Sequence, residues 1–368
     1  MKTKITSIIT AITLFLSNAA FSVPVLSSYP SAEATIYLDF DGESVTGTMW
    51  NSSSNQRRLD CLAAPLTDAQ ILEIFNRVSE DYRPFNVNIT TDLDVFMNAP
   101  LNKRMRVIVT PTSSWYAGVG GIAYVGSFTW GDDTPCFVFS DRLSNNSKYV
   151  AECCSHESGH TLGLSHQSTY NSSCALVETY NTGTGTGETS WAPIMGNSYY
   201  KNMTGWELGP TPYGCSVMQD NLSIITTQNG FTYRDDDFAD GLDNSTYTIV
   251  PNSFNIHGII TTQVDKDAFR FELAGSGSLH LEALPFSVNT NNNGSNLDLD
   301  MYLYKETTNG SQVNIGIYNP RGSMSIVVDT TLNAGIYYIV VNGTGNNNTD
   351  AYGSIGSYQL IGFKNVLA

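Results

Sequence analysis

One segment of the chain, HESGHTLGLSH from His156 to His166, contains three of its five histidines. His156 and His160 are four residues apart, so on an α-helix both imidazoles project from one face, one turn apart. Gly163 can adopt the left-handed conformation that ends a helix, so the chain can turn there and bring His166 back. The segment therefore predicts a helix with two imidazoles, a turn, and a third imidazole facing them.

Three imidazoles around one point are typical of a catalytic zinc site, because structural zinc sites are normally closed by four protein ligands. We expect His156, His160 and His166 to bind one Zn²⁺ ion and to leave its fourth position for water. Such a site lowers the pKa of the water and polarises the carbonyl of a scissile bond, while a carboxylate moves the proton. Glu157 lies beside the ligands and is the expected general base and acid.

The same segment resembles the signature of the metzincin zinc endopeptidases, H-E-x-x-H-x-x-G-x-x-H, and matches each of its fixed positions. Members of that family carry a methionine-containing turn under the zinc site, and Ala192–Gly196 (APIMG) fits this element. The resemblance implies an α+β catalytic domain with a mixed twisted sheet and a zinc helix, in which Met195 forms a hydrophobic floor under the ligands. It also implies hydrolysis of peptide bonds.

The order of strands and helices before the zinc helix is similar to that of the upper domain in this family, and Gly121–Phe128 occupies the place of its edge strand. The resemblance implies that Gly121, Ile122 and Ala123 bind an extended substrate, since an unpaired edge offers backbone hydrogen bonds to any peptide. A buried ladder strand without that role is the alternative.

Two departures from the family pattern leave questions open. Gln167 follows the third histidine, where well-known subgroups carry Glu, Asp, Ser or Pro, so the subgroup and the substrate preference are not assigned. Tyr199 lies four residues after Met195, whereas a metal-proximal tyrosine lies two residues after it in some subgroups. Tyr199 is therefore considered both as a hydrogen-bond donor to the transition state and as an ordinary packing residue.

Local sequence patterns predict the other elements of the first part of the chain. An apolar stripe with Thr67 and Gln70 as a capping box predicts a helix that stops before Pro84. A second helix is predicted from about Ser147 to Leu162, and a weaker one near Ser216–Thr226. The predicted strands are Ala34–Phe40, Asn86–Thr91, Met105–Thr110, Gly121–Phe128 and Cys136–Ser140.

Beyond Phe231 the helical periodicity disappears, and short strands separated by Asn- and Gly-rich turns predict an all-β sandwich. The predicted strands are Thr246–Val250, Ile256–Thr261, Ala268–Leu273, Ser278–Leu284, Leu297–Tyr304, Val313–Tyr318, Ser323–Asp329, Gly335–Asn342 and Gly356–Phe363. This part resembles the bacterial pre-peptidase C-terminal domain in Gly258–Ile260 (GII), Asp265–Phe271 (DKDAFRF), Leu297–Tyr304 (LDLDMYLY) and Ala334–Val341 (AGIYYIVV). We expect a signal peptide over 1–22, a catalytic domain over 23–233 and the sandwich over 234–368.

Asp298 and Asp300 alternate along one predicted strand. Both side chains would face the same side of that strand and could hold a Ca²⁺ ion. No other sequence feature supports calcium, and solvated carboxylates near a turn are the preferred interpretation.

The N-terminal residues predict export. Lys2 and Lys4 precede an apolar run, Ile5–Leu16, which is followed by small residues up to Ser22, and this pattern is typical of a signal peptide. We expect a secreted protein, extracellular or periplasmic, with disulfide bonds among Cys61, Cys136, Cys153, Cys154, Cys174 and Cys215. The pairing stays open, and a disulfide is preferred over zinc ligation for Cys153. No later apolar run is long enough for a transmembrane helix.

The composition argues against a nucleic-acid partner and indicates a globular chain. The formal net charge is −16, and no cluster of Lys or Arg interrupts it, which argues against a nucleic-acid partner. With 41% hydrophobic and 14% charged residues the chain should be globular. We expect a monomeric zinc endopeptidase that acts on proteins or peptides. The alternatives are a secreted adhesion or matrix-binding protein with a silent metzincin unit, and a zinc hydrolase of non-peptide amides.

Overall fold

The computed structural model describes residues 23–243, 245–289 and 292–366. The predicted signal peptide, residues 1–22, lies outside the described residues. Most of the regular structure is β-strand, and the described part of the chain contains five α-helices. None of these helices is long and apolar enough to span a bilayer. The sheets before residue 234 and those after it are built from separate sets of strands.

The part before residue 234 combines short strands with all of these helices. The helices are α1 Met49–Ser54, α2 Asp68–Asp81, α3 Leu93–Asn98, α4 Ser147–Thr161 and α5 Asn221–Gln228. The strands are β1 Ala34–Asp39, β2 Glu43–Val45, β3 Leu59–Cys61, β4 Val87–Thr90, β5 Arg104–Thr110, β6 Gly121–Ile122, β7 Cys136–Phe139, β8 Thr169–Tyr170, β9 Leu176–Glu178, β10 Trp191–Pro193, β11 Met203–Gly205, β12 Leu208–Thr211 and β13 Gly214–Asp220.

The main sheet of this part has the strand order β4-β1-β5-β7-β6. The first four strands are parallel, and β6 pairs antiparallel with β7 at the edge. β1 is buried along its whole length, as expected for a parallel strand covered on both faces. On one face, Ile36 and Leu38 belong to the same core as Ile71 and Ile74 of α2. This packing fixes α2, and α4 beside it, against the sheet.

The predicted capping box of α2 is confirmed. The Thr67 hydroxyl accepts a hydrogen bond from the Gln70 amide at 3.3 Å, and the Gln70 side chain accepts one from the Thr67 amide at 3.1 Å. Together they satisfy two backbone groups that a helix start would otherwise leave unpaired. Ile71, Ile74 and Val78 are fully buried, so the apolar stripe read from the sequence is the face that packs on the core.

Two predicted elements differ from the structure. The strand predicted over Gly121–Phe128 is limited to β6, and residues 127–129 form a 3₁₀ turn, because Gly126 with φ 77° turns the chain away from the sheet edge. The helix predicted near Ser216–Thr226 begins later. Residues up to Asp220 form β13 and pair with β12, and the Asp220 carboxylate then caps α5 by accepting from the Ser223 amide at 2.9 Å.

The part after residue 234 contains all nine predicted strands, organised as two facing sheets. They are β14 Tyr247–Thr248, β15 Ser253–Ile260, β16 Lys266–Leu273, β17 Gly277–Pro285, β18 Leu299–Glu306, β19 Gln312–Tyr318, β20 Ile326–Leu332, β21 Gly335–Gly343 and β22 Gly356–Val366. The sheet orders are β14-β16-β21-β18-β19 and β15-β22-β17-β20. Alternate residues such as Phe269, Phe271, Leu281 and Leu360 are buried in one core, as in a β-sandwich.

The two parts contact each other at the end of α2. The buried carboxylate of Asp81 accepts from the Asn296 side chain of the sandwich at 2.9 Å, and it also bonds to the Ser155 hydroxyl of α4. The Glu80 carboxylate accepts from the Ser357 hydroxyl at 2.8 Å. The sandwich is thereby linked through one carboxylate to the helix that carries the histidine motif.

The cysteines form fewer disulfides than the sequence suggested. Cys174 and Cys215 are bonded, and the other four thiols are buried and unbonded. The preferred disulfide of Cys153 is therefore wrong. Cys153 lies inside α4 in the core of the first part, where packing alone accounts for it.

Asp298 and Asp300 are buried, with 2% and 6% exposure, so the solvated interpretation of these carboxylates is wrong. Asp298 accepts from the Asn346 side chain at 2.8 Å, and Asp300 accepts from the Tyr302 hydroxyl at 2.9 Å. Neither belongs to a group of potential metal ligands within the described residues. The structure gives the two carboxylates protein partners instead.

Candidate metal centre and cleft

The helix of the histidine motif has clear boundaries. The Asn146 side chain caps α4 by accepting from the Tyr149 amide at 3.1 Å. At the other end Gly163 has φ 101°, and its amide bonds to the His160 carbonyl at 2.9 Å. A left-handed glycine therefore ends the helix, as predicted, and directs the chain towards His166.

The structure brings His156, His160 and His166 together. One ring nitrogen from each lies within 4.8 Å of the others, and the Nε2 atoms of His160 and His166 are 3.1 Å apart. The Nδ1 atoms of His156 and His160 donate to the Ile194 and Leu164 carbonyls at 2.8 and 2.6 Å. These bonds fix the tautomer of both rings and leave Nε2 with a free lone pair that faces the cluster.

This donor set fits a zinc ion. Two nitrogen ligands of a tetrahedral zinc ion with Zn–N bonds of ~2.0–2.1 Å are about 3.3 Å apart. The Nε2 atoms of His160 and His166, at 3.1 Å, are close to this separation. Burial lowers the pKa of all three imidazoles, to about 4 for His166, so the rings are neutral at physiological pH. Neutral imidazole is the metal-binding form. Within the described residues no cysteine or carboxylate joins the group, which leaves a fourth position open.

Met195, the predicted floor of the site, packs against α4. It is fully buried, and a Cβ atom built on Gly159 would lie 2.4 Å from its sulfur. The absence of a side chain at position 159 therefore lets the Met195 chain segment approach α4 between its two histidines. The same segment supplies the Ile194 carbonyl that orients His156, so support and orientation come from adjacent residues.

The Glu157 carboxyl is buried, and its Oε2 atom has no hydrogen-bond partner in the described part of the chain. Burial raises its pKa to about 8. Gly121 of β6 lies against it, since a Cβ on Gly121 would be 2.8 Å from Oε1. An unpaired carboxyl held beside three imidazoles can accept or donate a proton for a bound molecule.

The imidazoles and Glu157 form the floor of a cleft of about 550 Å³. The predicted substrate strand, Gly121, Ile122 and Ala123, lines one side of it, and all three residues are half-buried. β6 pairs only with β7, so its other edge is unpaired within the described sheet. The structure thus places an available strand edge beside the three imidazoles and Glu157.

Two tyrosines border the cleft in different ways. Tyr199 packs on Tyr149 with ring centroids 5.4 Å apart, and burial beside the Cys153 thiol raises the pKa of its hydroxyl well above the usual value. Tyr180, which the sequence did not predict as a site residue, lies against His166 with ring centroids 4.2 Å apart and the rings tilted by 42°, and it remains 45% exposed. No motif marks Tyr180, because it lies in an irregular loop whose course depends on distant contacts.

The sandwich holds the loop that follows Tyr180. The Glu188 carboxylate accepts from the Asn292 side chain at 2.7 Å and from the Met324 amide at 2.8 Å. Asn348 donates to the Thr189 carbonyl at 2.9 Å. Residues from three sandwich loops therefore hold the segment that lies between Tyr180 and Gly196, two residues that line the cleft.

Comparisons with known proteins add little to this geometry. No family model and no curated protein matches the chain. Among solved structures, the pre-peptidase C-terminal domain of a Bacillus anthracis collagenase is 16% identical, covering 33% of this chain and 98% of that one at a TM-score of 0.25. The Aeromonas hydrophila lysozyme inhibitor PliG is 12% identical, covering 33% and 96% at 0.23. Similarity at these TM-scores establishes neither fold nor activity for this chain.

Proposed function

We propose that the chain is a secreted zinc-dependent endopeptidase of the metzincin type. The observation that carries the proposal is the convergence, on one cleft floor, of three neutral imidazoles and the unpartnered carboxyl of Glu157. A structural zinc site would be closed by a fourth protein ligand. A carboxyl left unpaired in a buried position costs folding free energy, which indicates that it has a chemical use.

His156, His160 and His166 would hold the ion, which supplies Lewis-acid chemistry by polarising a carbonyl and lowering the pKa of a water molecule. Glu157 would take a proton from the attacking water at its free Oε2 atom and deliver it to the leaving amine. The Ile194 and Leu164 carbonyls would keep two of the imidazoles oriented throughout.

The edge of β6 supports a peptide as substrate. Gly121 lies within van der Waals contact of Glu157, so a chain paired to this edge would pass directly over the carboxyl. Backbone pairing recognises any extended peptide, while the cleft beside it can select a side chain. A non-peptide amide would make no use of the strand.

Two sequence features support the same proposal. The motif from His156 to His166 matches the metzincin signature at every fixed position, and Ala192–Gly196 resembles the methionine-containing turn of that family. The Cys174–Cys215 disulfide accords with export to an oxidising compartment. The β-sandwich accords with an accessory domain behind a secreted peptidase.

The test is hydrolysis of unfolded casein by the purified protein, with bound zinc counted by elemental analysis. Glu157→Gln should keep the zinc and lose turnover by at least about a thousandfold, because the amide cannot accept the proton. His160→Ala should lose both zinc and activity, and His257→Ala, a histidine of the sandwich, should change neither.

Cleavage by Glu157→Gln at the parental rate would refute the role of the carboxyl. A parent protein that binds no zinc would refute the ligand assignment. Zinc bound in parent and variant with no cleavage by either would favour the adhesion protein with a silent unit.

A further inference from the structure

A group of acidic side chains lies where the chain enters the sandwich, far along the sequence from the histidine motif. Oxygen atoms from Asp236, Asp265 and Asp267 lie within 4.8 Å of one another. Asp236 belongs to the segment that leads into the sandwich, and the other two flank the start of β16. Asp240 lies on the same side, because its carboxylate accepts from the Lys266 amide at 3.2 Å.

Two members of the group are buried with one oxygen left unpaired. Asp267 is fully buried and Asp265 is 7% exposed. Asp267 accepts from the Tyr358 hydroxyl through Oδ2, and Asp265 accepts from the Thr261 hydroxyl at 2.8 Å through Oδ2. The Oδ1 atom of each has no partner within the described residues. Each carboxylate is thus fixed by one oxygen and presents the other.

No positive side chain balances this charge. None of the four carboxylates makes an ion pair with a lysine, arginine or histidine in the part of the chain that the structure describes. Like charges at this separation repel, and burial adds a desolvation cost for each. Burial, and after it repulsion from the carboxylates of Asp237, Asp265 and Asp236, raise the pKa of Asp267 to about 9. A bound cation would offset both the repulsion among the carboxylates and the cost of their desolvation.

We propose that Asp236, Asp265 and Asp267 bind one Ca²⁺ ion, which joins the entry segment to the sandwich. Calcium takes carboxylate oxygens at ~2.3–2.6 Å, so oxygens on opposite sides of the ion are separated by about 4.6–5.2 Å, and adjacent ones by less. The observed spread of the three oxygens falls within this range. Mg²⁺ prefers a tighter octahedron in which it retains several waters. Carboxylates held in place by buried hydrogen bonds suit that geometry less well.

This site replaces the calcium position considered from the sequence. Within the described residues Asp298 and Asp300 belong to no group of three potential ligands, whereas oxygens of Asp236, Asp265 and Asp267 come together. The role is structural, because the ion would hold residues 236 and 240 against β16 and stiffen the junction between the two parts. The proposal does not depend on peptidase activity.

The test uses the full chain, dialysed into calcium-free buffer that retains zinc. Calcium binding is measured by isothermal titration, and thermal unfolding is followed with and without CaCl₂. We expect one Ca²⁺ per chain and, at about ten times the Kd, a roughly tenfold gain in the ratio of folded to unfolded protein. MgCl₂ at the same concentration should give a smaller shift in Tm.

Asp267→Asn should abolish the calcium response. Because that residue is in the core, Asp236→Asn provides a second variant at an exposed position, and it should raise the Kd at least tenfold. Asp300→Asn, a buried aspartate of the same sandwich, should leave the Kd unchanged. The proposal is overturned if the folded parent binds no calcium at millimolar concentration, if Asp236→Asn binds it as tightly as the parent, or if Mg²⁺ acts equally well.

Discussion

The close approach of Met195 to Gly159 leads to a quantitative prediction about α4. A methyl group at position 159 would approach the Met195 sulfur to 2.4 Å and its terminal methyl to 3.4 Å. Restoring an ordinary contact requires the sulfur to move by about 1 Å in a fully buried position. Gly159→Ala should therefore strain the segment that carries the Ile194 carbonyl and the orientation of His156.

The size of the effect depends on the residue at position 195. Overpacking costs about 1–3 kcal/mol, and replacing a helical glycine with alanine returns about 1 kcal/mol of helix propensity. Gly159→Ala should thus destabilise the protein by about 1 kcal/mol. In the Met195→Ala background the sulfur is absent. There Gly159→Ala should stabilise the protein by about 1 kcal/mol, partly because its methyl group fills the space left by the Met195 side chain. The sign should reverse between the two backgrounds.

The assay is a double-mutant cycle in which thermal unfolding of the four zinc-loaded proteins is compared. The interaction term should be about 1–3 kcal/mol. Gly159→Ala alone should lower Tm by a few degrees and weaken zinc binding, because His156 and His160 are on the same helical turns. Equal effects of Gly159→Ala in both backgrounds would refute the steric contact as the reason for the glycine.

Two further predictions concern Glu207, which follows β11, and Tyr180, which lines the cleft. Burial raises the pKa of the Glu207 carboxyl to about 7, so the folded state binds the carboxyl proton more tightly than the unfolded chain does. The free energy of unfolding should therefore fall as pH rises from about 4.5 to 7, by at most about 3 kcal/mol. In urea unfolding, Glu207→Gln should flatten the pH dependence of the free energy of unfolding. An unchanged pH dependence would contradict the claim that Glu207 causes it. Tyr180→Phe should lower kcat by about a hundredfold at equal zinc content, if its exposed hydroxyl stabilises the transition state, and Tyr199→Phe should have little effect. The opposite ranking in casein hydrolysis would return that role to Tyr199.

The sequence alone was enough for every feature that depends on near neighbours along the chain. The four-residue spacing of His156 and His160, the left-handed Gly163 and the Thr67 capping box are local, so their geometry follows from helix periodicity and backbone sterics. The nine strands after residue 234 follow from alternation and turn residues in the same way. The signal peptide, the domain limits, zinc binding and peptide hydrolysis remain predictions.

Features that depend on distant residues were decided by the tertiary structure. Cysteine pairing requires two side chains to meet in space, and only Cys174 and Cys215 do so. Tyr180 contacts His166 from a loop whose following segment is bound by the sandwich, and Asp236 meets Asp267 although β14 and β15 separate them in sequence. No periodicity encodes such contacts, since they arise only when separate elements bury a common core.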